Sequence, residues 1–255
     1  MTRKILLTIL TVFFLFTACN ENKRTEEKEI FISAAASLTD AIKEIIDIYK
    51  KDNNIEILAN FAGSGTLQAQ IEENAPCDIF FSAADKQMNR LEEKNLIDKN
   101  SRVELLENEV VLITPKDSKT ILTFKTIQDS DVKKIAIADP ESVPVGAYSK
   151  EIFTKLGNFD FVKTKMVSSA DVRQSLDWVV SGNVDCATVY KTDAFIEKDK
   201  INILDTAPEG THSPVNYPIA IIKGSESKTE VQKFFAYLKS DDAKKVYEKY
   251  GFKVK

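Results

Sequence analysis

Residues 29–84 read EIFISAAASLTDAIKEIIDIYKKDNNIEILANFAGSGTLQAQIEENAPCDIFFSAA. Two periodicities alternate along this stretch. Glu29 to Ala35 is strand-like, and from Leu38 to Lys51 the apolar residues Leu38, Ala41, Ile42, Ile45, Ile46 and Tyr49 recur at helical spacing. Ile55 to Ala59 reads as a second strand, Thr66 to Glu73 as a helix anchored by Leu67 and Ile71, and Cys77 to Ala83 as a third strand. The order strand-helix-strand-helix-strand predicts an open, mostly parallel sheet with helices on its faces.

A second series of the same kind follows Val110 to Pro115. It comprises the strand Lys134 to Ala138, a helix over Ala147 to Leu156, a weak strand near Phe161 to Met166, a helix over Val172 to Ser181 and the strand Asp185 to Tyr190. Two copies of one architecture predict two lobes. The strand Tyr217 to Ile222 and the helices Thr229 to Leu238 and Asp241 to Tyr250 have no partner in the second series, so they are expected to return to the first lobe. The expected division is therefore 29–112 for the first part of lobe 1, 113–213 for lobe 2, and 214–255 for the return segment.

Outward toward the N-terminus, Arg3 and Lys4 precede the apolar run Ile5 to Phe16, which is too short for a stable membrane span and reads as a signal peptide over 1–18. The run closes on Phe16-Thr17-Ala18-Cys19, small residues before a cysteine as in a bacterial lipobox, so Cys19 is expected to carry lipid. An ordinary secretory signal with an incidental cysteine is the alternative. Residues 19–28 are then a polar tether without the apolar content to join a core. Without Arg3 and Lys4 the 35 basic residues fall to 33 against 39 acidic ones, a formal charge of −6 that argues against a nucleic-acid partner. Cys77 and Cys186, each in an apolar run, read as buried free thiols rather than a disulfide framework.

Ligands of open α/β sheets lie beyond the carboxyl ends of the strands, which directs attention to the loops there. Ser37 stands as an expected N-cap with Asp40 three residues on. Gly63-Ser64-Gly65 lets backbone approach a ligand closely and sets a hydroxyl at a helix start. Val143-Pro144-Val145-Gly146 and Ala170-Asp171-Val172-Arg173 open two helices of the second series. Four helix N-termini, each with unsatisfied N–H groups and about half a positive charge, could hold a dianion with no lysine or arginine touching it. Taken singly, each feature is an ordinary cap or turn.

Ala34 to Ala41 (AAASLTDA), Phe61 to Ile71 (FAGSGTLQAQI), Ala75 to Ala84 (APCDIFFSAA), Asp139 to Tyr148 (DPESVPVGAY), Ala170 to Arg173, Val189-Tyr190 and Tyr247 to Phe252 (YEKYGF) together resemble the molybdate-binding periplasmic protein family, with the blocks in family order across the mature chain. The resemblance implies a type II periplasmic-binding fold: two doubly wound α/β lobes joined by a hinge, with the ligand cleft between them. It implies a non-enzymatic, monomeric, extracytoplasmic lipoprotein that needs no cofactor and delivers molybdate or tungstate to the permease and ATPase subunits of an ABC importer. By position, Ser37 and Ser64 would offer hydroxyl and backbone N–H, Val145 and Val172 backbone N–H, and Tyr190 its phenol. Two departures stand out: Gly63 and Gly65 where the family often has serines, and Val145 where alanine is common.

Other residues read as structural. His212, the only histidine, supports neither a metal site nor a catalytic triad and is expected at the surface. A carboxylate facing a dianion would repel it, so Asp139 and Asp171 suit turn and capping roles. Arg173 is expected in an exposed salt bridge and Trp178 in the core. The rival readings are a binder of sulfate or phosphate, and an enzyme on the same scaffold.

Overall fold

The computed structural model describes residues 29–255. The expected signal peptide, Cys19 and the tether lie outside the described residues. The first sheet begins with β1 (Glu29–Ala35), β2 (Glu56–Ala62) and β3 (Ile79–Phe81), linked by α1 (Thr39–Asp52) and α2 (Ser64–Glu72). After α3 (Asp85–Glu93), β4 (Val103–Glu107) completes this stretch. The second sheet takes β5 (Val110–Pro115), β6 (Ile135–Ala138), β7 (Met166–Ser169), β8 (Cys186–Tyr190) and β9 (Ile201–Thr206), with α4 (Pro144–Lys155), α5 (Phe159–Lys165), α6 (Val172–Val180) and α7 (Lys191–Ile196) between them. β10 (Asn216–Ile221), α8 (Thr229–Tyr237), α9 (Asp241–Lys249) and β11 (Lys253–Val254) close the chain.

The sheet orders are β11-β4-β10-β3-β1-β2 and β7-β6-β8-β5-β9. β1 pairs in parallel with β2 and β3, and β6 with β7 and β8. β10 enters the first sheet antiparallel between β3 and β4. The chain therefore crosses between sheets twice, at residues 108–109 and again at 207–215. The crossings are tied together, because Asn108 N–H donates to the Val215 carbonyl (3.1 Å) and Ala207 N–H to the Val110 carbonyl (2.9 Å). The division expected at residue 112 falls inside β5, all of which lies in the second sheet.

The helical stripe of α1 is buried as its spacing requires: Ala41, Ile42, Ile45, Ile46 and Tyr49 face the core. The return helices pack over it, with the Tyr49 ring 5.0 Å from Phe234 and 4.9 Å from Tyr237, while Lys249 pairs with Glu44 at 2.6 Å. Phe252 and Tyr247 stack edgewise behind the first sheet, Phe252 on Tyr217 at 5.3 Å and Tyr247 on Phe81 at 6.2 Å.

One element is corrected. The weak strand expected near Phe161 to Met166 is the helix α5, and the strand begins only at Met166. Val162 is its buried contact, and Asp160 in the first turn with Lys163 and Lys165 in the last suits the helix dipole. Of the aromatic and β-branched residues that suggest a strand only Val162 is buried, with Phe161 half-exposed and Thr164 exposed, so a single helical contact outweighs local β-propensity. Trp178 is partly buried against the core, as expected, and both Cys77 and Cys186 are free. Burial pushes their thiols up, to about 11 and about 12 respectively, which keeps them protonated and unreactive.

Because Phe234 is fully buried against Tyr49, Phe234→Ala leaves a cavity beneath the return helices. Urea unfolding of the variant is expected to show a loss of about 3–5 kcal/mol. A loss below about 1 kcal/mol would mean that the return segment is not an integral part of the first lobe's core.

Candidate functional site

Each lobe presents helix N-termini at the carboxyl edge of its parallel strands, and the two edges face one another. α2 starts at Ser64 directly after β2, α4 starts at Pro144 after β6, and α6 starts at Val172 after β7. Val145 and Val172 lie in first turns, where backbone N–H groups have no acceptor within the helix. Gly146 makes this placement of α4 possible: a Cβ there would collide with the Ala138 carbonyl at the end of β6.

Ser37, Ser64, Val145, Val172 and Tyr190 all line one small cleft between the lobes, closed down to about 10 Å³. Each is at most 3 % exposed. The cleft wall carries no lysine or arginine, and its single charged residue is Asp171. That carboxylate is committed to its own helix, where it caps α6 by accepting from Gln174 N–H at 3.0 Å. Asp139 has the turn role expected of it, accepting from Glu141 N–H and the Ser142 hydroxyl.

The hydroxyls differ in what holds them. Ser64 Oγ accepts from Ala83 N–H at 3.0 Å, leaving its single proton for another acceptor. Tyr190 Oη is buried without a hydrogen-bond partner, and burial holds its phenol well above the usual range, so it remains a neutral O–H donor. Ser37 departs from its expected role. It lies within a 3-10 turn, Ala36–Leu38, and makes no cap; its Oγ meets Tyr217 Oη at 2.9 Å instead. Asp40, its supposed capping-box partner, reaches across the seam to Arg173. Tyr217, in β10, and Asn108, in the first crossing, stand behind Ser37, and neither carries a sequence signal for that role because each meets it only through the fold.

Arg173 corrects a second expectation. Its guanidinium is 23 % exposed and spans the two lobes, with Nη2 at 2.7 Å from Asp40 of α1 and Nε at 2.6 Å from Asp193 of α7. The Asp193 contact is an ion pair rather than an aligned hydrogen bond, since the N–H direction misses the carboxylate. Burial pushes the Asp193 carboxyl up to about 6, opposed by the pull of Arg173. His212 is half-buried rather than exposed, its ring 5.7 Å from Tyr148. No cluster of three potential metal ligands occurs among the described residues.

The lobes also meet through backbone. Gly65 N–H donates to the Ser142 carbonyl at 2.9 Å, a direct bond from α2 to the loop before α4. A Cβ at Gly65 would fall inside the contact distance of that same carbonyl oxygen, and one at Gly63 would come within 3.0 Å of the Val143 side chain. The two glycines therefore let the opposite lobe close. Two broader grooves of about 610 and 810 Å³ run along the α3–α4 side of the seam, open to solvent and containing none of the five residues.

With this geometry in view, comparison with known proteins is informative. Residues 30–253 match the family model of the bacterial extracellular solute-binding protein. The chain belongs to that family. It is 46 % identical over 97 % of its length to YvgL of Bacillus subtilis, covering 96 % of that protein, whose name provisionally describes an ABC transporter substrate-binding lipoprotein. It is 37 % identical to the molybdate-binding protein ModA of Escherichia coli, with 92 % of each chain covered. Among solved structures, a substrate-binding domain from Clostridium difficile, provisionally assigned to a molybdenum ABC transporter, superimposes with a TM-score of 0.67 at 42 % identity, covering 88 % of this chain and 98 % of the other. The two-lobed α/β fold of periplasmic binding proteins is thus established. Among the described residues, no helix is long and apolar enough to cross a membrane.

The closure contact is directly testable. Gly65→Ala is expected to hold the lobes apart, giving a larger radius of gyration in small-angle X-ray scattering than the wild type under the same conditions. Equal radii would show that the seam accommodates a methyl group and that Gly65 is not required for closure.

Proposed function

We propose that the protein captures molybdate or tungstate in this cleft by neutral hydrogen-bond donors and delivers it to the permease and ATPase subunits of an ABC importer. The observation that carries the reading is the gathering of five donor-bearing residues from both lobes in one buried cleft that has no basic side chain. The names of the relatives from Escherichia coli and Clostridium difficile point to the same ligand class. In the proposed complex Ser37, Ser64 and Tyr190 donate hydroxyl protons, and the first-turn amides of Val145 and Val172 add backbone N–H groups. Helix dipoles supply the positive potential that the wall's side chains lack. Substrate-binding relatives argue against catalysis, and neither His212 nor any cleft residue forms a nucleophile–base pair.

Sulfate shares the charge and shape of molybdate but is smaller, so cleft dimensions decide between them. Isothermal titration with molybdate, tungstate, sulfate and phosphate tests the reading. Molybdate and tungstate are expected to bind tightly and sulfate about tenfold or more weakly, a gap of about 1.4 kcal/mol. Ser37→Ala, Ser64→Ala and Tyr190→Phe should each weaken molybdate by roughly tenfold to a hundredfold, since a hydrogen bond to a charged group contributes about 1.5–3 kcal/mol. Normal molybdate binding by all three variants would refute the neutral-donor mechanism. Equal affinities for molybdate and sulfate would leave a general oxyanion binder.

The proposal includes an anchor at Cys19, supported by the small-small-Cys ending of the apolar run and by the lipoprotein name of the Bacillus subtilis relative. Expressed in full, the protein is expected to partition with membranes and to label with a fatty-acid probe, and Cys19→Ala to abolish the label. An unlabelled wild-type chain that starts at another residue would exclude the anchor.

A further inference from the structure

Three polar residues behind the cleft form a chain whose proton directions can be worked out. Asn108 occupies the first crossing between the sheets, its own N–H bonded to the Val215 carbonyl on the second crossing. Its Oδ1 accepts from Glu109 N–H at 2.9 Å. A backbone N–H only donates, so the amide oxygen must face it and the Nδ2 group must face the other way. Nδ2 then has two acceptors, Thr192 Oγ1 at 2.8 Å and Tyr217 Oη at 3.1 Å. Tyr217 Oη therefore accepts from Asn108, and its one proton needs an acceptor of its own. Ser37 Oγ, at 2.9 Å, is its other hydrogen-bonding neighbour.

Tyr217 is fully buried, and a buried hydroxyl proton without a partner costs about 1–3 kcal/mol. The satisfied arrangement runs Asn108 to Tyr217 to Ser37, every member donating forward. Ser37 Oγ is then occupied as an acceptor on its rear side, and its proton is left to point into the cleft that it lines.

We infer that Asn108 and Tyr217 are positioning residues that turn the Ser37 proton toward the cleft, so that this relay behind the wall sets how well a ligand carrying its own proton is received there. The inference rests on the oxyanion-binding reading above and deepens it. A protonated oxyanion must itself donate, and a donor facing a fixed donor leaves both unpaired in a dry site. Ser64, one of whose lone pairs is taken by Ala83 N–H, likewise keeps its proton for the cleft.

The test reverses the chain without changing its shape. In Asn108→Asp the side chain offers acceptors at both oxygens, so Tyr217 turns to donate to it, Ser37 donates to Tyr217, and Ser37 presents lone pairs to the cleft. The readout is the ratio of phosphate to sulfate affinity at mildly alkaline pH. There both ligands are dianions, so repulsion from the added carboxylate cancels, and phosphate alone still carries a proton. Asn108→Asp is expected to raise the ratio by about tenfold or more. Tyr217→Phe, which adds no charge and frees the Ser37 hydroxyl to turn, is expected to raise it severalfold while weakening molybdate less than Ser37→Ala does. A ratio unchanged in both variants, with the wild type binding molybdate, overturns the relay alone. Failure of the wild type to bind any of these oxyanions overturns the functional reading and the relay with it.

Discussion

A helix that returns across a parallel sheet must begin at the carboxyl end of the strand before it, and that constraint decides where this molecule keeps its unsatisfied hydrogen-bond donors. β2 runs into α2, β6 into α4 and β7 into α6, so each of these helices starts at a strand end. Their first-turn N–H groups cannot be paired within the helix. Because the chain crosses twice between the sheets, the two donor-bearing edges are set opposite one another rather than exposed separately. The short hydrogen bonds between the crossing segments, Asn108 to Val215 and Ala207 to Val110, fix where that opposition occurs.

The parts of this arrangement that lie within one strand-loop-helix unit are legible in the sequence. The stripe of α1, the Gly-Ser-Gly loop before α2 and the Val-Pro-Val-Gly opening of α4 are local patterns whose geometry follows from their own residues. What the sequence hides is contact between residues far apart in the chain. Ser37 reads as an N-cap because the residues after it are helical, yet the chain tightens into a 3-10 turn and its hydroxyl turns to Tyr217, 180 positions away. Asp40 reads as the capping-box partner of Ser37 and Arg173 as half of an exposed salt bridge, yet the two pair with one another from different lobes. α3 has only Met88 and Leu91 as buried apolar residues, and β4 and the edge strand β9 are half-exposed, so their periodicity is too thin to announce them.

The Asp40–Arg173–Asp193 bridge is better understood as a device of geometry than of stability. Removing Asp193 wholly from water costs more than a surface pair would return, which is why its carboxyl is pushed up to about 6 even beside a guanidinium. Burial also opposes the charge on Arg173, but Asp193 and Asp40 together outweigh it and hold the guanidinium above its ordinary value. The buried pair contributes little to the free energy of folding, yet it holds the Arg173 guanidinium where it meets Asp40 of the other lobe, a contact made only with both lobes in place. Close by, the Gly65 to Ser142 bond imposes the same condition sterically. Closure is therefore specified at two points by interactions that a slightly misaligned seam would lose altogether.

Polarity inside the cleft follows from commitments made outside it. A basic side chain on the wall would attract any anion, protonated or not, and its flexible stem could turn to suit each. The hydroxyls here lack that freedom. Ser64 oxygen already accepts from Ala83, the Ser37 hydroxyl is tied to that of Tyr217, and the amides of Val145 and Val172 are held in direction by their helices. Turning the Ser37 or Ser64 proton away from the cleft would leave that proton in need of another acceptor within a buried wall, at about 1–3 kcal/mol where there is none. On the proposed reading an acidic chain would present an anion with a wall of donors, and a preference for a ligand without protons would come from the hydrogen bonds that hold that wall in place.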